Sequence, residues 1–175
     1  ALADLTAQTV QCDIQDVDAG LEAYSSPAFY MIPPIDALMQ NTIRINRSST
    51  ADGIELYTTL AHEGYPGHLY QTVYSSLVCD TQTLPIRKLF SYGGYVEGWT
   101  YYTERISYEY AAQVLAEAEG SLGSSYPAAL LCTLLAQQRD LQINLFCLLD
   151  LSLHYYGAEK SELLRSLESF GLSEE

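Results

Sequence analysis

His62-Glu63-Gly64-Tyr65-Pro66-Gly67-His68 is the stretch on which the reading of this chain turns, and it holds two of the three histidines in 175 residues. A His-Glu pair followed within a turn or two by another histidine is how zinc hydrolases supply two imidazole ligands and a base. The chemistry needs neutral nitrogen donors for the metal and an adjacent carboxylate to take a proton from the attacking water. In the usual His-Glu-x-x-His spacing the two rings differ by only about 40° around a helix. Here they stand six residues apart, which is about 240° on a regular helix, so the rings would point to opposite sides. They can share a metal only if the helix is broken between them. Pro66 breaks it, because its ring clashes with the carbonyl of His62 and its nitrogen donates nothing. Gly64 and Gly67 let the chain bulge or restart there. A plainer reading of the same residues is two unrelated histidines on either side of a kink, one capping and one packed.

Upstream of this break, residues 41–47 (Asn-Thr-Ile-Arg-Ile-Asn-Arg) alternate apolar and polar, which predicts a half-exposed strand. The preceding run, residues 28–34, ends in Pro33-Pro34 and is confined to an edge or an extended arm. Residues 1–27 are acidic and weakly patterned, a poorly defined lead-in to a motif-bearing domain over 28–172. Ser48, Ser49, Thr50 and Asp52 offer N-caps for a helix from about residue 51, with Ile54, Tyr57, Leu60 and Ala61 at helical spacing. A second helical run follows over about 68–78. A loop is expected around 80–85, leading to Arg87-Lys88 and Gly93-Gly94. Longer helices are predicted over about 95–119, stopped by Gly120, and about 127–156, with Gly157 beyond its end. A last short helix covers about 159–169, stopped at Gly171 and followed by a new helix start at Ser173. The fold class is mainly α, with one short strand or hairpin near the N-terminus.

Two further segments carry chemistry-bearing residues. In Tyr95-Val96-Glu97-Gly98-Trp99-Thr100-Tyr101-Tyr102-Thr103-Glu104, Glu97 is the better candidate for a third, carboxylate ligand, because it lies among Val96, Gly98 and Trp99 rather than among charges. Gly98 would let a backbone or a metal site approach closely. Glu104, seven residues on, falls within about 20° of the same face and is either a partner behind the ligands or a solvated acid. Downstream, Arg139, Asp150 and His154 share one stripe of an otherwise leucine-rich helix. A polar stripe in a core helix either meets another polar group or lines a cleft. A His154 ring there could stabilise an oxyanion, or the three could brace a bundle as an ion-pair set.

Composition bounds the partners. Twenty-two acidic residues against 8 basic give a net charge of −14, so nothing can neutralise a row of phosphates and nucleic acid is excluded as a partner. The same sign disfavours anionic membranes, and no apolar run is long enough to span a bilayer. At 48% hydrophobic and 17% charged the chain is too apolar for a disordered acidic tail. Cys12, Cys79, Cys132 and Cys147 form no metal-thiolate spacing. Cys132 and Cys147 lie in apolar helical pattern, where cysteine usually behaves as a small buried hydrophobe. The chain opens in mid-pattern and closes on a helix start, so it reads as part of a longer protein. No targeting signal is present and the compartment stays open, with a secreted or lipid-anchored bacterial parent as one setting.

Taken together, His62-Glu63-x-x-Pro66-Gly67-His68, Glu97-Gly98-Trp99 and Arg139…Asp150…His154…Gly157 resemble the bacterial domain-of-unknown-function family numbered 885, which is zincin-like and similar to the gluzincin metallopeptidases. The resemblance runs over about 29–172 and corresponds to the C-terminal, motif-bearing part of longer family members. It implies a mostly helical, gluzincin-type fold and hydrolysis of peptide bonds with Zn2+. By that resemblance His62, His68 and Glu97 are the ligands, Glu63 is the general base, and His154 with Tyr155 or Tyr156 stabilises the transition state. Residues 41–47 would be the edge along which an extended peptide lies. Family members often carry a second histidine where this chain has Leu69, and alanine where it has Thr100.

The leading expectation is therefore a zinc-dependent metallopeptidase-like hydrolase acting on a peptide substrate. The alternative is a non-catalytic helical module with a vestigial or structural metal site, binding a peptide or protein partner through Tyr92, Tyr95, Tyr101 and Tyr102. A third is a stretch that binds zinc without activity because an N-terminal domain of the same protein forms the other wall of the cleft.

Overall fold

Three strands come first in the chain and pair out of sequence order, β1-β3-β2. In the computed structural model, which describes residues 10–34, 36–49, 53–79, 90, 92–122 and 127–172, these are β1 (Gln11–Asp16), β2 (Ala28–Met31) and β3 (Gln40–Ile45). β3 lies between a parallel β1 and an antiparallel β2. Its alternation works as expected: Asn41, Ile43 and Ile45 are buried, and the residues between them are not. Two expectations are corrected here. Residues 1–27 hold a strand, β1, whose six residues are all exposed; it shows no apolar alternation because it is held by its backbone ladder rather than by burial. And β3 is the central strand, with a neighbour on each side, so the outer strand towards the helices is β2.

The helices follow: α1 (Gly53–Glu63), α2 (His68–Tyr74) continued by a π-helical turn (Ser75–Cys79), α3 (Gly93–Leu122), α4 (Ala128–His154) and α5 (Lys160–Ser169). The expected caps Thr50 and Asp52, the loop at 80–85 with Arg87 and Lys88, and the helix start at Ser173 lie outside the described residues. α3 runs through Gly120, since one glycine costs a helix interior only about 1 kcal/mol.

The chain forms two compact units, Ala1–Cys132 and Thr133–Glu175. In the first, α1 covers the sheet by setting Leu56 and Leu60 on Ala28, Ile43 and Ile45. Tyr57, expected on that face, is exposed. A second cluster gathers Leu69, Tyr70 and Val73 of α2 with Tyr30, Met39 and Trp99. The buried stripe of α3 is Thr100, Thr103, Glu104, Ser107 and Tyr108, at helical spacing and mostly polar. The Thr103 and Ser107 hydroxyls are satisfied by backbone carbonyls, Thr103 Oγ1 to Thr100 O at 2.9 Å and Ser107 Oγ to Glu104 O at 2.6 Å. Satisfied in this way, the stripe is buried without the cost of an unpaired polar group.

The second unit contains the rest of α4 and α5. α5 opens on a capping box between Glu159 and Glu162, and Gly157 and Gly171 adopt positive φ as the expected helix stops. Along α4 within this chain, Leu141 is 65% exposed and Phe146 55%. Cys132 is buried as expected, but Cys147 is exposed.

Candidate metal centre

The problem posed by the six-residue spacing is solved by a chain break. α1 ends at Glu63, the chain turns through Gly64–Gly67, and α2 starts at His68. Both glycines are needed. A Cβ on Gly67 would stand 1.7 Å from the His62 carbonyl oxygen, and one on Gly64 would stand 2.8 Å from Leu60 O. That close return brings the His62 and His68 rings edge-to-face, with centroids 4.9 Å apart.

α3 closes the site from the other side. Glu97 Oε2 lies 3.4 Å from His62 Nε2 and 3.6 Å from His68 Nε2, so both imidazoles converge on one carboxylate oxygen. Seven residues on, Glu104 Oε2 meets the other nitrogen of His62, Nδ1, at 3.1 Å. A carboxylate can only accept, so Nδ1 carries the proton in that contact and Nε2 is left as the donor atom for a metal. Glu97 and Glu104 thus straddle one imidazole from one face of α3. Thr100 donates to Glu97 O at 3.0 Å and stands 3.5 Å from Glu97 Oε2. Leu69, in the place of a further histidine, is buried in the α2 core. Gly98 gives no close approach among the described residues, since a Cβ there would meet nothing within 4 Å.

The family profile described as Bacterial protein of unknown function (DUF885) matches residues 3–164. The chain belongs to this family. Among solved structures, the DUF885 chain is similar to "the putative lipoprotein from Colwellia psychrerythraea", at 21% identity with a TM-score of 0.64. The alignment covers 94% of this chain and 26% of that one, so the DUF885 chain spans about a quarter of that protein's length. The likeness is one of fold. No curated protein matches.

The donor set can be tested against zinc. Two nitrogens and an oxygen at 2.0–2.2 Å from a tetrahedral ion stand roughly 3.3–3.5 Å from one another. The separations of the two imidazoles from Glu97, 3.4 and 3.6 Å, are of that size. A protonated nitrogen bound to a carboxylate behind the ligand is also the usual outer arrangement of a metal-binding histidine. On these two distances His62, His68 and Glu97 could hold one ion. A second carboxylate competes for it: His62, Glu63 and His68 each offer a ligand atom, all within 4.8 Å of one another. One oxygen of Glu63 is already engaged, accepting the main-chain N–H of Tyr30 at 2.9 Å.

Charges follow from these contacts. Burial would lower the His62 imidazolium, but the Glu104 hydrogen bond and the nearby carboxylates of Glu63, Glu104 and Glu97 outweigh it, and His62 titrates above its ordinary value. His68 is lowered, first by burial and then by His62, with Glu97 opposing. Glu63 is raised, mainly by burial, with Glu97 and Glu104 adding to it and Tyr30 N–H and His62 working against it. A carboxyl so raised is a better proton acceptor than one in water.

The remaining predicted residues belong to the second unit. There Asp150 and His154 pair at 3.6 Å, both 70% exposed, and Tyr155 and Tyr156 are exposed. Arg139 Nη1 donates to Gln142 Oε1 at 3.0 Å. Sequence reasoning missed Tyr30, because a main-chain N–H leaves no mark in residue types. None of the described helices is long and apolar enough to cross a membrane.

Proposed function

We propose that the DUF885 chain carries the catalytic centre of a zinc-dependent hydrolase of peptide bonds. His62, His68 and Glu97 would hold the ion, and Glu63 would act as general base. The observation that carries this reading is the convergence of both Nε2 atoms on a single Glu97 oxygen at 3.4 and 3.6 Å. A bound zinc supplies Lewis acidity to a carbonyl and makes water acidic enough to lose a proton near neutral pH. Glu63, raised by burial and seated beside both histidines, would accept a proton at its carboxylate and return it to the leaving amine. β3, as the central strand, has no free edge for an extended substrate, and on β2 the outward N–H of Tyr30 is already taken by Glu63. His154 and Tyr155, implied by family resemblance to stabilise the oxyanion, lie in the second unit, and the proposal stands on the first unit's residues alone.

The test is metal analysis after loading with Zn2+. One equivalent is expected, lost on His62→Ala or His68→Ala, while Glu63→Gln keeps the metal and abolishes cleavage of a generic peptide substrate. Full activity in Glu63→Gln would overturn the mechanism. A second reading, a structural metal site in a peptide-binding module, draws on the exposure of Tyr92, Tyr95 and Tyr102 and on Glu63 as a fourth ligand that would close the site. Four protein ligands on the bound ion would favour it.

A further inference from the structure

Two carboxylates, Glu63 and Glu97, come within ligand range of the same two imidazoles, yet the proposed chemistry needs one of them off the metal as a base. The sheet supplies a device that separates them. In the antiparallel β2–β3 pair, hydrogen-bonded and non-hydrogen-bonded residues alternate. Asn46 N–H donates to Pro27 O at 2.9 Å, and the register pairs Phe29 with Arg44 and Tyr30 with Ile43. Tyr30 therefore falls at a non-hydrogen-bonded position, and its N–H points away from β3. Because β2 is the outer strand, that N–H is turned to α1, where it meets Glu63 Oε2 at 2.9 Å.

The aim of this N–H is fixed by the Tyr30 ring. Its hydroxyl donates to Asn41 Oδ1 at 2.7 Å. Asn41 is only 2% exposed, and its Nδ2 donates to Gln11 O and Leu38 O, each at 3.2 Å. One buried amide thus ties β1, the approach to β3 and the ring of Tyr30 together. Burial pushes the Tyr30 phenol up to about 12, so it remains a donor throughout the useful pH range.

We propose that the main-chain N–H of Tyr30 is a positioning group that holds Glu63 out of the metal's ligand set, with Asn41 fixing its aim through the Tyr30 hydroxyl. This rests on the zinc reading of His62, His68 and Glu97. A bond that merely fastened β2 to α1 would affect folding but not the choice between two carboxylates.

The test is a double-mutant cycle on the full chain, with Zn2+ affinity read by chelator competition and Co2+ visible absorption as a second readout. Tyr30 is replaced by its α-hydroxy analogue, which removes the N–H and keeps the ring, alone and together with Glu63→Gln. In the parent, Glu63→Gln should change zinc affinity by less than about threefold, because Glu63 is not a ligand; in the ester background it should cost about tenfold or more. The Co2+ band should weaken in the ester variant as coordination number rises, and recover with Glu63→Gln. Equal effects of Glu63→Gln in both backgrounds, within about threefold, overturn the proposal. Should the ester variant fail to fold, Tyr30→Phe, which keeps the N–H but frees the ring, replaces it in the cycle. A coupling of about twofold or more then supports the inference, and none overturns it. If His62→Ala leaves zinc affinity unchanged, the zinc reading itself falls; if His62→Ala abolishes binding while the cycle is flat, only this inference falls.

Discussion

The indole N–H of Trp99 donates to the carbonyl of Pro66 at 2.9 Å, so the second motif of the chain ties down the break in the first. Pro66 cannot continue α1, and the peptide around it has no helical partner. Trp99 supplies one from α3, two residues from Glu97, while its ring stacks on Tyr70 at 6.2 Å. One side chain thereby sets the loop that spaces the two histidines against the helix that carries the carboxylate.

Trp99→Phe keeps an aromatic ring for the Tyr70 stack and removes this donor. Leaving a partly buried carbonyl unpaired should cost about 1–3 kcal/mol in urea denaturation of the metal-free protein. Zinc affinity should fall about three- to tenfold, because the relative position of His68 and Glu97 loosens. A stability loss without any change in zinc affinity would mean that the bond serves the fold alone.

Gly67 and Gly98 should respond to alanine in opposite directions. At Gly67 a methyl group would sit 1.7 Å from backbone that cannot rotate away, so Gly67→Ala should destabilise by about 3 kcal/mol or more and abolish zinc binding. At Gly98, inside α3 with open space around it, Gly98→Ala should stabilise by about 0.5–1 kcal/mol. Paired denaturation curves and zinc titrations check both.

What could be read from the sequence follows from which physical signal each element uses. The break at Pro66-Gly67 and the strand at Ile43 and Ile45 are written in steric and hydropathic terms, and both are legible. Glu97 and Glu104 were placed on one face by helical spacing alone, and that face does meet His62. β1 was missed because Gln11–Asp16 buries nothing and is held only by its ladder. The buried stripe of α3 was hidden because Thr100, Thr103 and Ser107 hide hydroxyls bonded to their own helix, a pattern that hydrophobic periodicity does not register. For α4, leucine content fixes what a helix could bury and not what covers it. Tyr30's contribution is a backbone group, outside any reading of side chains.

Glu104→Gln should weaken zinc binding about 10–100-fold, since a carboxylate behind a histidine ligand fixes its tautomer and raises its basicity. Glu104 is 6% exposed and bonds His62 Nδ1 at 3.1 Å, so no solvent charge can replace it. Glu109, on the same helix but 64% exposed at its side chain, provides the comparison. Glu109→Gln should leave zinc affinity within about twofold of the parent, as expected for a surface pair.

Zinc binding should release protons and weaken with acid. In the metal-free protein His62 titrates above its ordinary value, so just above pH 6.5 it still holds a proton that a free imidazole would have lost. A metal must displace that proton, because Nε2 ligates only when it is unprotonated. His68 is shifted down and is already neutral there, so it contributes no competing proton. The sign is therefore fixed by His62: apparent zinc affinity is at its maximum above the raised His62 value and falls about tenfold per pH unit below it. Calorimetric titration with Zn2+ at about pH 6.5, the ordinary imidazole value, repeated in two buffers of different ionisation enthalpy, measures the protons released. A net release traceable to His62 should disappear in Glu104→Gln, where the chief group raising that histidine has lost its charge. No release in the parent would show that His62 is neutral before the metal arrives.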